Sequence, residues 1–251
     1  MRLIHCILIS LCLVGSGSAA AAPLDFKVKY ALYYKGMKVA RMERRFSQTE
    51  DGGYLYRSNT ETAGLISLFR DDRITEESRG QLHDNTARPL QYEYSHTGSR
   101  KQRQVSIRFD WDKNEVINMV NGSAWKMELE PGVLDKLLYQ FLIMQDLNAG
   151  KRHLSYMIAD GGTTKTYRFE LQGEEVINTP LGKLKTIKLA RHRPDKKRET
   201  TLWCALDLHY LPVKVKNVEK DDRITVAIIQ SLQGLGRWGG GRSGPSADPP
   251  P

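Results

Sequence analysis

From residue 25 onward, apolar and polar side chains alternate with a period of two. Phe26, Val28, Tyr30, Leu32 and Tyr34 share one face, while Lys27, Lys29, Ala31, Tyr33 and Lys35 share the other. Val105, Ile107, Phe109 and Trp111 repeat the pattern, and so do Tyr167, Phe169 and Leu171. Such alternation predicts antiparallel strands with one face in a core and one in water. Turn residues punctuate the strands at Gly36, Asp51-Gly52-Gly53, Thr97-Gly98-Ser99, Asp112-Lys113-Asn114, Asn121-Gly122 and Asp160-Gly161-Gly162. Counting segments gives about a dozen strands or a few more. So many strands leave costly edges unless the sheet curls. The expectation is a mainly β fold, a large antiparallel meander curled into an open barrel or sandwich.

One stretch follows another period. After Pro131-Gly132, the residues Val133, Leu134, Leu137, Leu138, Phe141, Leu142 and Leu147 have helical spacing, and Ile143 and Met144 widen the stripe nearly to the full circumference. A helix that is apolar all round is buried all round. One apolar helix near 133–148 is therefore expected to pack against the sheet, stopped by Asn148-Ala149-Gly150. A shorter helical turn is expected within Ala63 to Phe69.

The two ends differ from the rest. Arg2, the apolar run Leu3 to Val14 and the small residues up to Ala22 have the three parts of a secretory signal, with cleavage near Ala20 or Ala21. Leu11 before Cys12 argues against a lipoprotein signal. Beyond Gln233 the chain turns to Gly, Arg, Ser and Pro. The expected organisation is a signal peptide at 1–21, a single mainly-β domain at 22–233 and a disordered Gly/Pro-rich tail at 234–251. The expected location is periplasmic, reached through the inner membrane, with no membrane span left after cleavage.

Composition narrows the function classes. Among 251 residues, 40% hydrophobic content with 8% aromatic excludes disorder throughout. A mean hydropathy of −0.49 excludes a multi-span helical membrane protein. Only Cys204 remains once the leader with Cys6 and Cys12 is gone, so no internal disulfide can form. Its apolar neighbours Leu202, Trp203, Ala205 and Leu206 mark it as an inert buried thiol. The net charge is +9, or +8 without Arg2.

No phosphate loop, nucleophile elbow or zinc helix occurs, and His83, His96, His153, His192 and His209 have no metal-ligand spacing. Glu76-Glu77 and Asp71-Asp72 read as exposed strand flanks. No catalytic, cofactor-binding or metal-binding residue is assigned, and no cofactor is expected. The strongest charged feature is Arg191, Arg193, Lys196, Lys197 and Arg198 around Asp195, expected on an exposed hairpin loop. Arg100, Lys101 and Arg103 form a second basic turn. Both are candidates for contact with an anionic envelope surface; an exported protein would not normally meet nucleic acid. Tyrosines at 30, 33, 34, 54, 56, 92 and 94 either fill a core or line a cavity for an apolar ligand.

Several fragments then align with one family. Gly173 to Thr186 with Thr179-Pro180-Leu181-Gly182, then Thr201-Leu202-Trp203, then Tyr210-Leu211-Pro212-Val213-Lys214 follow one another. Ser106-Ile107-Arg108-Phe109-Asp110 and Pro131-Gly132-Val133-Leu134-Asp135 precede them. In order and spacing this set resembles the exported bacterial family known as domain of unknown function 3108, over about residues 25 to 232. The resemblance implies a periplasmic, mainly β protein and carries over no catalytic residue. The functional expectation is a non-enzymatic envelope protein that binds an apolar or lipid-like ligand in a curved sheet. The alternatives are a module that assists or regulates another envelope protein, and an enzyme with an unrecognised site.

Overall fold

The computed structural model of the protein describes residues 25–83, 86–98, 102–192 and 198–235. Residues 1–24, 84–85, 99–101, 193–197 and 236–251 lie outside them, so the expected signal and all of the expected tail beyond Leu235 do too. Gly234 closes the last strand. Eight strands come first: β1 (Phe26–Tyr34), β2 (Met37–Gln48), β3 (Gly53–Thr62), β4 (Arg73–His83), β5 (Thr86–Thr97), β6 (Arg103–Asp110), β7 (Glu115–Val120) and β8 (Ser123–Glu128). The helix α1 (Leu138–Asn148) follows. Six more strands complete the fold: β9 (Leu154–Ala159), β10 (Thr164–Thr179), β11 (Gly182–His192), β12 (Glu199–Ala205), β13 (Leu211–Val218) and β14 (Ile224–Gly234).

All fourteen strands form one antiparallel sheet in the order β8-β7-β6-β5-β4-β3-β2-β1-β14-β13-β12-β11-β10-β9. Each run is a meander of hairpins, and the pairing of β1 with β14, from Phe26↔Gly234 to Tyr34↔Thr225, joins the two runs. The sheet curls with the help of register shifts at Lys29/Tyr30, Leu32/Tyr33, Arg79/Gly80, Leu171/Glu174 and Trp203/Cys204. An extra residue on one strand bends it and adds twist, which closes a long sheet. The tight turns follow the expected chemistry. Asn121 (φ 48°) and Gly122 (φ 86°) supply the two left-handed residues that a two-residue hairpin requires.

The seam lies between β8 and β9. Leu134 covers the β9 edge through a parallel bridge to Ile158. Its N–H donates to the Met157 carbonyl at 2.8 Å, and the Ala159 N–H donates to the Leu134 carbonyl at 2.9 Å. Trp125 of β8 lies against Gly162 in the β9–β10 turn, where any Cβ would collide with the indole.

The bridge also explains a shift in the helix start. The apolar spacing predicts a helix from 133, but the backbone of Leu134 is engaged in the sheet. Asp135 then begins the helix by accepting the N–H groups of Leu137 and Leu138 on one carboxylate oxygen, each at 2.8 Å.

From there α1 runs down the inside of the curled sheet. Leu138, Phe141, Ile143, Met144 and Leu147 are all buried, and the Phe141 ring stacks on Phe46 of β2 at 4.0 Å. At the far end Asn148 donates to the His209 carbonyl at 3.0 Å. Each large apolar side chain buried this way contributes about 1.5–3 kcal/mol, so the helix is the central part of the core.

Candidate functional site: the mouth of the barrel

Residues paired directly across antiparallel strands share a face, so the register defines rows of inward side chains. Phe46, Tyr56, Ser78, Tyr92 and Ile107 form one row, and it is buried. The next row toward the β1–β2, β3–β4 and β5–β6 turns is Arg44, Ser58, Glu76, Tyr94 and Val105. Beyond it stand Met42, Thr60, Ile74 and His96. Tyr94, His96, Thr60 and Ile74 are only half-buried although they point inward. The curled sheet is therefore filled by α1 at one end and open at the other. The first turn of α1 is the floor of the opening.

Two arginines flank that floor. Arg44, in register with Val28 on one side and Ser58 on the other, donates from Nη1 to Oε1 of Gln140 on α1 at 2.5 Å. Burial alone would lower its pKa, but Tyr56, Tyr30 and Glu76 outweigh that and keep the guanidinium charged. Arg191 comes from β11 and is only 4% exposed. Its guanidinium carbon lies 3.7 Å from the centre of the Tyr167 ring, a cation–π contact in a dry setting. Tyr167 meets Tyr139 of α1 edge-on at 5.4 Å. Burial pushes the Tyr139 hydroxyl pKa up, and Arg191 and Arg44 both oppose the shift, so this tyrosine feels both guanidiniums.

Acidic groups around the floor are already engaged. Glu76 accepts the Tyr92 hydroxyl at 2.8 Å. Asp135 caps α1 and accepts the Ser78 hydroxyl at 2.5 Å, and burial raises its pKa to about 6. Asp160 accepts the Tyr167 hydroxyl at 3.2 Å and pairs with Lys136 and Lys165, each at 3.1 Å. Burial works to raise its pKa, yet the two lysines outweigh it and hold it at about 2.

Among the described residues no ion pair forms to Arg44 or Arg191. Arg44 Nε, Arg191 Nε and Nη1 and Ser58 Oγ are buried without a hydrogen-bond partner. Leaving such a group unpaired costs about 1–3 kcal/mol, and more when it is charged. Unpaired donors on two cations make this layer complementary to an anion.

One member of the basic turns is placed differently from the expectation. Arg191 does not lie on an exposed loop. β11 continues to His192, so Arg191 keeps the inward alternation of Ile187 and Leu189 and is buried. Arg198 is half-buried, with Nε 3.6 Å from Glu219. Arg103 is exposed at the start of β6. Arg193, Lys196, Lys197, Arg100 and Lys101 lie outside the described residues.

Glu76 is a second correction, since it faces the interior while its neighbour Glu77 points out to Arg57 at 2.7 Å. Arg44 was not singled out by sequence at all. Its parity with Met42 and Phe46 was the available signal.

Among the described residues the other candidate chemistry is spread out. Concavities of about 780 and 600 Å³ lie on the outer face of the sheet, lined by ion-paired residues such as Arg57, Glu77, Arg41 and Glu61. Cys204 is fully buried and burial raises its pKa, so it is no nucleophile at neutral pH. Among the described residues no group of three or more His, Cys, Asp or Glu is placed to hold a metal, and no helix is long and apolar enough to cross a membrane.

Comparison with known proteins agrees with the fold. The sequence model of the family described as protein of unknown function DUF3108 matches residues 29–227. No curated protein matches the chain. A beta-barrel-like protein of domain of unknown function DUF1849 from Brucella abortus superposes with a TM-score of 0.55 at 7% identity, covering 86% of this chain and 99% of that one. A candidate lipoprotein from Parabacteroides distasonis reaches a TM-score of 0.35 at 9% identity, covering 85% and 97%. The first likeness establishes a shared fold and nothing beyond it.

Proposed function

This chain belongs to the DUF3108 family, and on that premise we propose that it is an exported, non-enzymatic envelope protein that binds an amphipathic, anionic ligand in the mouth of its barrel. The observation that carries the reading is the pair Arg44 and Arg191, inward-facing and with no carboxylate paired to either among the described residues. An anionic headgroup or carboxylate would take the free Nε and Nη1 donors through charge-assisted hydrogen bonds. Its apolar part would lie against Leu32, Met42, Ile74 and Tyr94. The ligand sits in the mouth and not along the whole barrel, because α1 occupies the remainder.

The test is native mass spectrometry on protein purified gently from the periplasm, followed by extraction of any adduct. A reproducible lipid-like anionic adduct is expected, absent from the Arg44→Gln/Arg191→Gln double variant. An apo mass that stays unchanged after incubation with envelope lipids would overturn the reading.

A second reading rests on a different feature. Among the described residues β8 pairs only with β7, whereas the β9 edge is covered. A partner strand adding to Ser123–Glu128 would make the protein an interaction module. Ala124→Pro would then abolish partner capture and leave ligand binding intact.

A further inference from the structure

The β3–β4 connection carries an exposed apolar tip. It contains a 3₁₀ turn over Gly64–Leu68. Leu65 is 79% exposed, Leu68 75% and Phe69 86%. Such exposure would mean little in a fraying loop, but the base of this one is clamped. The Thr62 N–H donates to the Asp72 carbonyl at 3.0 Å and the Ala63 N–H to the Val39 carbonyl at 2.9 Å. Ser67 Oγ donates to the Gly64 carbonyl at 2.7 Å. Gly64 has φ +76°, and a Cβ there would lie 2.6 Å from the Lys38 carbonyl oxygen, so the loop seats against β2 where only glycine fits. The fold thus holds three large apolar side chains in water, each able to gain about 1.5–3 kcal/mol on burial.

Their surroundings identify what buries them. Met37, 60% exposed, stands beside Lys38 under the loop. Lys35 and Lys38 of the β1–β2 hairpin and Arg70 and Arg73 of the loop are exposed at this end, with the exposed acid Asp71 among them, while Asp72 is engaged by Arg70 at 2.8 Å. The shape is a convex tip, not a groove, so it needs an occupant that yields to insertion. An apolar tip at an end rich in cations matches the boundary between acyl chains and anionic headgroups.

We propose that the Leu65–Phe69 tip docks this protein on an anionic lipid bilayer, with Leu65, Leu68 and Phe69 inserted and Lys35, Lys38, Arg70 and Arg73 at the headgroups. The tip lies at the same end as the mouth, so docking brings the opening to the bilayer. The inference stands on the loop alone and does not require a ligand in the mouth.

The test is co-sedimentation of the purified mature protein with phosphatidylglycerol-containing vesicles, with pure phosphatidylcholine vesicles as control. Wild-type protein is expected to bind the anionic vesicles and to release in high salt. The Leu65→Ser/Leu68→Ser/Phe69→Ser variant is expected to bind at least about ten-fold more weakly, with an unchanged melting temperature because the three side chains touch little of the fold. Arg191→Gln should bind vesicles like wild type even if it loses the mouth ligand, which separates the two ideas. Phe69→Trp gives a direct readout, a blue shift of its added emission on anionic vesicles. Equal vesicle binding by wild type and the triple variant would overturn the proposal. So would a wild-type dimer that the triple variant converts to monomer without any vesicle binding, since the tip would then be covered by a second copy.

Discussion

The two ends of the barrel interior are built to opposite specifications. In the part that α1 fills, Phe46, Phe141, Ile143 and Met144 are buried together, and the polar group at its boundary with the opening, Asp135, meets three donors. At the open end Arg44 and Arg191 keep buried donors with no acceptor, and inward-facing Thr60, Tyr94 and His96 are left half-buried. The same sheet makes both ends, and the difference is whether α1 covers the row. The closed end supplies stability; the open end gives some up, as binding sites do.

The comparison is broken most severely from the closed end. Phe141→Ala removes the ring stacked on Phe46 and is expected to cost about 3–5 kcal/mol, read as a lower urea midpoint. If the loss is under a kilocalorie, α1 is not the central core element.

Asp135 gives the next effect, through pH. Its native pKa of about 6 lies above its ordinary 3.8 because burial disfavours the charge. The folded protein therefore binds the proton more tightly than the unfolded chain between those values, and stability is lost as pH rises through about 6. The stability of wild type minus that of Asp135→Asn should fall by up to about 3 kcal/mol between pH 4 and pH 7. A flat difference across urea titrations would show that the carboxyl is not held in a dry site.

Arg191→Met sharpens the contrast with the opposite sign. Replacing an unpaired buried cation by an apolar side chain should stabilise the ligand-free protein by about 1–3 kcal/mol, seen as a higher melting temperature, and should abolish the anionic adduct. Destabilisation would mean that the contact with Tyr167 outweighs the missing partners. The smallest effect belongs to the outer face. Glu77→Gln breaks the exposed pair with Arg57 and should cost under about 1 kcal/mol, less still in high salt.

Much of this architecture was legible in single residues. Phe26, Val28 and Tyr30 announce a strand because alternation is local and each side chain reports its own face. Asn121-Gly122 announces a turn for the same reason, since left-handed backbone selects those residues. The apolar circumference of Val133 to Leu147 predicted a helix packed against the sheet, though it began the helix a turn too early.

Glu76 and Arg191 were misplaced because polar residues on an inward face look like solvent positions. Only their parity with Ser78 and with Leu189 says otherwise. Arg191 also depended on where β11 ends, and two residues of extra strand turned a loop cation into a buried one.

The amino-acid sequence by itself determined the strands, the turns, the single helix and the family, since each is written in short-range periodicity and residue type. The tertiary structure alone decided that β1 closes on β14, that Leu134 diverts from the helix to cover β9, and that Arg44 and Arg191, far apart in sequence, both act on Tyr139. These are contacts between distant parts of the chain, set by how the curled sheet closes around α1, and no local pattern encodes them.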